Sequence, residues 1–162
     1  MSKLLIELVP KTCLFSNVRT LLPTKYWNKL RKESYAKANH VCEICKESGK
    51  DQGYKHDVEC HEIWEYDDVS LTQKLLGLIS LCPGCHQVKH FGRTSAVGKQ
   101  KEAFKRLERI NGWTHKDCID HLAEITTMNM YRSQFKWRLD IGILTEFDVP
   151  KKLITEAEKK RK

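Results

Sequence analysis

Two Cys-x2-Cys pairs constrain this chain more than any other feature of its sequence. The first pair is Cys42 and Cys45, and the second is Cys82 and Cys85. A turn lets each pair aim two sulfurs at one ion, and four soft thiolates form the closed tetrahedral set of a structural zinc ion. Thirty-six residues separate the two pairs, which is more than in a simple zinc ribbon. The spacing therefore predicts a Zn²⁺ site that stabilises the fold, performs no chemistry and encloses a folded insert.

Three histidines lie inside or just after this framework. His61 belongs to residues 57–66, whose pattern predicts a strand and one arm of a hairpin. Pro83 is well suited to the first turn of a helix, and that helix would carry His86 and His90 on one face. A strand histidine facing two helix histidines would form a compact site for a divalent ion and a water molecule.

The charge of the chain favours a polyanionic partner. Its 29 Lys and Arg residues outnumber its 21 Asp and Glu residues, which gives a formal net charge of +8. Such a surplus favours nucleic acid because each neutralised phosphate releases counterions. Many small soluble proteins are also basic, so the charge alone leaves a plain solvated surface as the alternative.

The seven cysteines indicate metal binding rather than disulfides. The apolar run at residues 4–6 is too short for a secretory signal and is followed at once by Glu7. No stretch approaches the roughly 18 apolar residues of a membrane span. We therefore expect a cytoplasmic protein with no membrane partner, in which Cys13 and Cys118 take no part in the chemistry.

The pattern along the chain predicts an α+β fold with one domain at residues 1–149 and a basic tail at residues 150–162. This segment is expected to be a frayed helix or a tail, useful at most as an unspecific phosphate anchor. The motif core covers residues 40–92, and the predicted flanking helices are residues 24–38, 98–110 and 114–137. Short strands are predicted at residues 3–9 and 139–144, the second beside the first. Within the insert, residues 67–76 predict a polar turn and a short helix that ends at Gly77, followed by a brief strand at residues 78–81.

The motif residues resemble a known family. Glu59-Cys60-His61, followed by Leu81-Cys82-x-x-Cys85-His86 with Cys42-x-x-Cys45 upstream, is similar to the zinc-bound branch of the HNH endonucleases, also called ββα-metal or His-Me finger nucleases. This resemblance covers about a third of the chain, and the flanks are also similar to small bacterial and phage HNH proteins. It implies a ββα-metal core and metal-dependent hydrolysis of DNA, in the cytoplasm of a bacterial or phage-infected cell.

The resemblance also implies roles for individual residues. His61 would be the general base that takes a proton from the attacking water. His86 and His90 match metal ligands, and the residue before the base, here Cys60, matches a further ligand. The catalytic ion would be Mg²⁺, Mn²⁺, Ni²⁺ or Zn²⁺, and it would bind the scissile phosphate and stabilise the leaving 3′ oxygen. The product would carry a 5′ phosphate.

Two positions depart from the family pattern. Cys60 stands where the family usually has Asp or His, and a thiolate suits Mg²⁺ poorly. Either the working ion is softer, or Glu59 or Glu62 supplies an oxygen, or Cys60 only packs. In a regular strand Glu59 and His61 share one face while Cys60 points away, although the family's local kink normally defeats this alternation. Gly77 stands where many members carry the middle Asn, and a backbone carbonyl could substitute for that side chain.

Candidate phosphate contacts are Lys89, Arg93 and the basic face of a helix at residues 25–37. The remaining histidines are expected to be structural: His40, His56, His115 and His121. The alternative function is a catalytically inactive HNH-derived zinc module that binds nucleic acid or a protein. The sequence leaves the DNA target and the oligomeric state open.

Overall fold

The computed structural model describes residues 3–160, which form seven α-helices and a three-stranded sheet. The α+β class predicted from the sequence is therefore confirmed. The helices are α1 (Val18–Leu21), α2 (Thr24–Lys37), α3 (Pro83–Lys89), α4 (Phe91–Ala96), α5 (Gln100–Asn111), α6 (His115–Arg132) and α7 (Lys151–Lys159). The strands are β1 (Glu59–Asp67), β2 (Thr72–Leu81) and β3 (Arg138–Asp140). Within the described residues, no helix is both long and apolar enough to cross a membrane.

The folded insert between the two cysteine pairs is a β-hairpin. Strands β1 and β2 pair antiparallel, with His61 opposite Ile79. The short helix predicted at residues 67–76 is wrong, because β2 begins at Thr72 and continues to Leu81. The register shifts where Ile63 pairs with Gly77 but the next residue, Trp64, pairs with Leu75. This bulge interrupts the apolar–polar alternation of β2, and for that reason the sequence pattern did not predict a continuous strand.

The two terminal strands also differ from their prediction. Residues 3–10 form no strand, and they are anchored by side chains instead. The Asn111 side chain accepts from Leu4 N at 2.9 Å and donates to Leu4 O at 2.7 Å, and His121 Nε2 accepts from Ile6 N at 3.0 Å. At the other end, β3 is only three residues long and pairs parallel with β2, not with the N-terminal segment.

The predicted flanking helices are present with shifted ends, and the basic C-terminal segment is a packed helix. Helix α6 starts with the expected capping box at Thr114 but ends at Arg132, five residues earlier than predicted. The basic tail is corrected to helix α7, whose Ile154 and Ala157 side chains are buried. Lysines precede and follow these side chains in the sequence, so the overall charge obscured an apolar face. Arg161 and Lys162 lie outside the described residues.

Two hydrophobic clusters hold the molecule together. The first contains the buried thiols with Leu81, Val88 and Leu107, and therefore packs α3 and α5 around the cysteine pairs. The second contains Leu75 and Ile154 and packs α7 against the far part of β2. The hairpin contributes to both clusters, which gives β1 a defined position in front of α3.

Candidate functional site

The two cysteine pairs converge on one point, as predicted. The sulfurs of Cys42, Cys45, Cys82 and Cys85 all lie within 4.8 Å of one another. Cys45 Sγ is 3.5 Å from Cys82 Sγ, close to the ~3.8 Å edge of a tetrahedron with zinc–sulfur bonds of about 2.3 Å. Cys85 N donates to Cys82 Sγ at 3.5 Å. The four thiols thus fit a structural metal such as zinc.

The thiols cannot all ionise without a cation among them. Hydrogen bonds from neighbouring thiols, first that of Cys45, hold the pKa of Cys42 below its usual range. The pKa of Cys85 is raised because hydrogen bonds to the other three sulfurs hold its proton. A bound divalent ion would remove this conflict, because it allows four thiolates to share one site.

Helix α5 supplies an arginine to this cluster that the sequence analysis missed. Arg106 Nη2 lies 3.1 Å from both Cys45 Sγ and Cys82 Sγ, and 3.0 Å from Glu47 Oε2. Glu47 also forms a two-point ion pair with Arg109, at 2.6 and 3.1 Å. The hydrogen bond from Arg109 is the main reason that the pKa of Glu47 falls to about 2. A guanidinium here balances the negative charge of four thiolates and ties α5 to the first cysteine pair.

Gly84→Ala is expected to lower the free energy of unfolding by about 1–3 kcal/mol. A methyl group at Gly84 would lie 2.9 Å from Gln52 Oε1 and 3.0 Å from Arg106 Cζ, so both side chains would have to shift and the contacts of the guanidinium with the sulfurs would be disturbed. Gly92→Ala is the matched control, because its methyl group would meet only Leu8 Cδ2 at 3.6 Å. Urea unfolding of both variants measures the difference. Equal stability of the two variants would contradict the tight approach at Gly84.

The three histidines singled out by their spacing come together. His61 lies on β1, His86 lies on α3 and His90 caps the end of α3. The ring centroids are 5.4 Å apart for His61 and His86, 4.9 Å for His61 and His90, and 4.5 Å for His86 and His90. One nitrogen from each ring lies within 4.8 Å of the others. This imidazole cluster fits a borderline divalent ion such as Zn²⁺ or Ni²⁺.

A carboxylate lies behind two of these rings. Glu59 Oε2 is 2.5 Å from His86 Nδ1, and this hydrogen bond lowers the pKa of Glu59. Glu7 Oε2 is 2.7 Å from His61 Nε2, and Glu7 Oε1 is 2.5 Å from Lys89 Nζ. Burial opposes ionisation of Glu7, but the hydrogen bond with His61 and the charge of Lys89 outweigh it and lower the pKa. Metal-binding histidines usually carry such a carboxylate on the second ring nitrogen.

Cys60 and Glu62 lie outside the imidazole cluster, although Cys60 lines the same open groove as His86 and His90. Cys60 lies against Ser34 of α2, and burial raises the pKa of its thiol to about 12. Glu62 accepts hydrogen bonds from Val18 N at 2.7 Å and Trp64 Nε1 at 3.0 Å, and burial raises its pKa to about 7. Regular strand alternation thus separates these two side chains from His61 and Glu59. Of the three possible ligands weighed from the sequence, the structure brings Glu59 to the cluster.

The histidines outside the motif have different surroundings. His56 Nε2 lies 3.0 Å from Glu59 Oε1, which brings it closer to the imidazole cluster than the sequence suggested. His121 anchors the N-terminal segment, and His115 lies 2.9 Å from Glu108 at an exposed position. Among these contacts within residues 3–160, that of His56 reaches a candidate site residue.

A groove of about 870 Å³ opens beside the imidazole cluster, between α2 on one side and α3 with α4 on the other. Its basic lining residues are Arg19, Arg31, Arg93 and Lys99. The one acidic residue in its lining is Glu59, which is already in contact with two histidines. The groove therefore presents a positive surface next to His86 and His90.

The predicted phosphate contacts divide into two groups. Arg93 lines the groove, and Arg31 is the basic residue of α2 that does so. Lys89 does not line it, because its side chain is 12% exposed and forms the ion pair with Glu7. Lys29 lies 2.8 Å from Asp148 on the far side of α2. A sequence pattern of basic residues could not separate these two groups, because their partners are distant in the chain.

Comparison with known proteins finds no protein-family model, no curated protein and no solved structure that matches this chain. The resemblance to HNH nucleases therefore rests on the motif residues, and the structure adds a four-cysteine cluster at metal-binding distance.

Proposed function

We propose that the chain is a metal-dependent endonuclease of the HNH type that hydrolyses phosphodiester bonds in DNA. The observation that carries this proposal is the convergence of His61 with His86 and His90 beside a positively lined groove. The order of elements also supports it, since β2 of the hairpin leads through a zinc-type cysteine pair into the helix that bears His86. In this proposal β1, β2 and α3 form the ββα-metal unit.

In this mechanism His61 takes a proton from a water molecule. The water oxygen bonds to phosphorus while the bond between phosphorus and the 3′ oxygen breaks, and the leaving oxygen is protonated by solvent. The products carry a 5′ phosphate and a 3′ hydroxyl. A divalent cation bound by His86 and His90 would neutralise charge on the phosphate and stabilise the leaving 3′ oxygen. Glu59 keeps the His86 ring in place through its 2.5 Å contact.

The donor set favours some ions over others. Imidazole nitrogen suits Zn²⁺ and Ni²⁺, whereas Mg²⁺ and Mn²⁺ prefer oxygen ligands. Cys60 does not offset this preference, because its thiol lies against α2. We therefore propose a transition-metal ion as the working cofactor, separate from the structural zinc.

The groove supports DNA as the substrate class. Arg19, Arg31 and Arg93 would contact phosphate oxygens on either side of the scissile bond. Binding should weaken as salt rises, because these contacts release counterions.

One observation favours the inactive module as a second candidate. The His61 side chain is only 6% exposed, which leaves little room for an attacking water molecule. In that case the same basic groove would bind nucleic acid, or a protein, without cutting.

Nicking of supercoiled plasmid tests the proposal. Protein loaded only with its structural zinc is incubated with Mg²⁺, Mn²⁺, Ni²⁺ or Zn²⁺ in separate reactions. At least one ion should support nicking, and His86→Ala should lower the rate by about 10²–10³-fold because it removes a ligand. His115→Ala is the matched control, since His115 is exposed and distant from the cluster. Equal nicking by the wild type and His86→Ala would refute the mechanism, and DNA binding without nicking in any ion would establish the inactive module.

A further inference from the structure

We propose that Glu7, held by Lys89, is a positioning residue that fixes the tautomer and orientation of His61. This inference rests on the proposed nuclease function for its catalytic meaning. Glu7 lies far outside the cysteine–histidine motif, on the extended N-terminal segment. Its two carboxylate oxygens contact different partners, with Oε2 at 2.7 Å from His61 Nε2 and Oε1 at 2.5 Å from Lys89 Nζ.

The surroundings hold this arrangement in one geometry. The side chains of His61 and Lys89 are 6% and 12% exposed, so both are largely shielded from water. Glu7 N donates to Lys89 O at 3.2 Å, which fixes the backbone beside the ion pair. The residues before Glu7 are clamped by Asn111 and His121. The carboxylate is therefore fixed through its own backbone, through its neighbours in sequence and through both of its oxygens.

The hydrogen-bonding capacity of these groups determines where the imidazole proton lies. Lys89 can only donate, so it takes one oxygen of Glu7 as its acceptor. The other oxygen of Glu7 can only accept, and His61 must therefore donate to it from Nε2–H. The neutral ring then carries its lone pair on Nδ1. A general base needs such a lone pair. By accepting the Nε2–H, Glu7 keeps the lone pair on Nδ1 without touching the substrate.

The same reasoning predicts an unusual effect of Glu7→Gln. The amide has one acceptor oxygen where the carboxylate had two, and the charged Lys89 competes better for it. The amide NH₂ group then faces His61 Nε2, which has to become an acceptor, so the ring proton moves to Nδ1. Removing the lysine charge frees the amide oxygen for His61. The double variant Glu7→Gln/Lys89→Met should therefore regain the wild-type tautomer.

Side-chain ¹⁵N–¹H correlation spectra of protein that is loaded only with its structural zinc test the tautomer of His61 without any nuclease assay. At one pH at which His61 is neutral, the wild type should show the Nε2–H form, Glu7→Gln the Nδ1–H form, and the double variant the Nε2–H form again. In plasmid nicking, Glu7→Gln should lower kcat by about 10–100-fold with little change in KM, and the double variant should recover part of that loss. Glu65→Gln is the matched control, because Glu65 is an exposed glutamate on β1, the strand that carries His61.

The two readouts distinguish the two proposals. An Nδ1–H form in the wild type would overturn the role of Glu7, and this measurement needs no variant to fold. An unchanged tautomer in folded Glu7→Gln would overturn it as well. If the tautomers follow the expected order but no protein nicks DNA, the positioning of His61 by Glu7 stands and the nuclease function fails.

Discussion

His61→Ala is expected to lower the rate of metal-dependent DNA cleavage by about 10²–10⁴-fold, which is the usual contribution of a positioned general base. His61 is the one member of the imidazole cluster that comes from β1, and its Nε2 is occupied by Glu7. Its loss would therefore remove the group that accepts the proton of the attacking water. DNA affinity should change little, because His61 does not line the basic groove. Single-turnover cleavage and fluorescence anisotropy with the same labelled duplex measure the two effects.

Burial of His61 calls for a second variant. The ring is packed among two other imidazoles, so alanine leaves a cavity that can lower stability. His61→Asn keeps a polar side chain of intermediate size and should be equally slow in cleavage, while thermal unfolding reports whether each protein is folded. Cleavage by folded His61→Asn at the wild-type rate would exclude His61 as the base and leave catalysis to other residues.

Cys42→Ser is expected to remove one zinc ion per chain. The protein should then be largely unfolded at room temperature and show no cooperative unfolding transition. Structural zinc in small domains contributes roughly 10–16 kcal/mol of apparent binding free energy. That is as large as the ~5–15 kcal/mol of net stability of a typical domain. Three of the four thiols belong to the first hydrophobic cluster and Cys45 packs against it, so α3 and α5 should lose their packing with the ion. Zinc analysis by mass spectrometry and near-ultraviolet circular dichroism measure the loss.

Cys60→Ser is the matched control for this experiment. Cys60 lies outside the four-cysteine cluster, so its replacement should leave the zinc content of the chain unchanged. A strong chelator should reproduce the effect of Cys42→Ser on the wild type. Retention of the wild-type zinc content and melting temperature by Cys42→Ser would mean that the four thiols do not bind a structural metal.

The parts of the site that follow from short spacing could be predicted from the sequence. Each Cys-x2-Cys pair is a local turn, and His86 and His90 are one helical turn apart, so their geometry depends on few residues. The partners of these residues could not be predicted. Glu7 reaches His61 across 54 positions, and Arg106 reaches Cys45 across 61. Neither contact leaves a repeating pattern in the sequence. The one local signal is Glu7 itself, an acidic residue within an apolar N-terminal segment.

The errors in the predicted fold have identifiable physical causes. The sequence pattern predicted a helix and a separate short strand in place of β2, because the bulge beside Gly77 breaks the alternation that identifies a strand. The N-terminal segment has the composition of a strand, but its backbone groups bond to the side chains of Asn111 and His121 rather than to a neighbouring strand. Helix α7 was expected at most as a frayed helix because of its charge, but its Ile154 lies in the second hydrophobic cluster. For the N-terminal segment and for α7, contacts with distant parts of the chain decided the outcome.

The position of the hairpin between the two halves of the thiol cluster has a consequence for folding. Once Cys45 and Cys82 share an ion, they act as a cross-link that closes a loop of 36 residues. A covalent link of that span would restrict the denatured ensemble by about 4 kcal/mol. The restriction acts on the segment that contains His61, and it brings Cys45, which precedes β1, close to the end of β2. Metal capture would thereby favour the correct strand register early, before the distant N-terminal segment delivers Glu7.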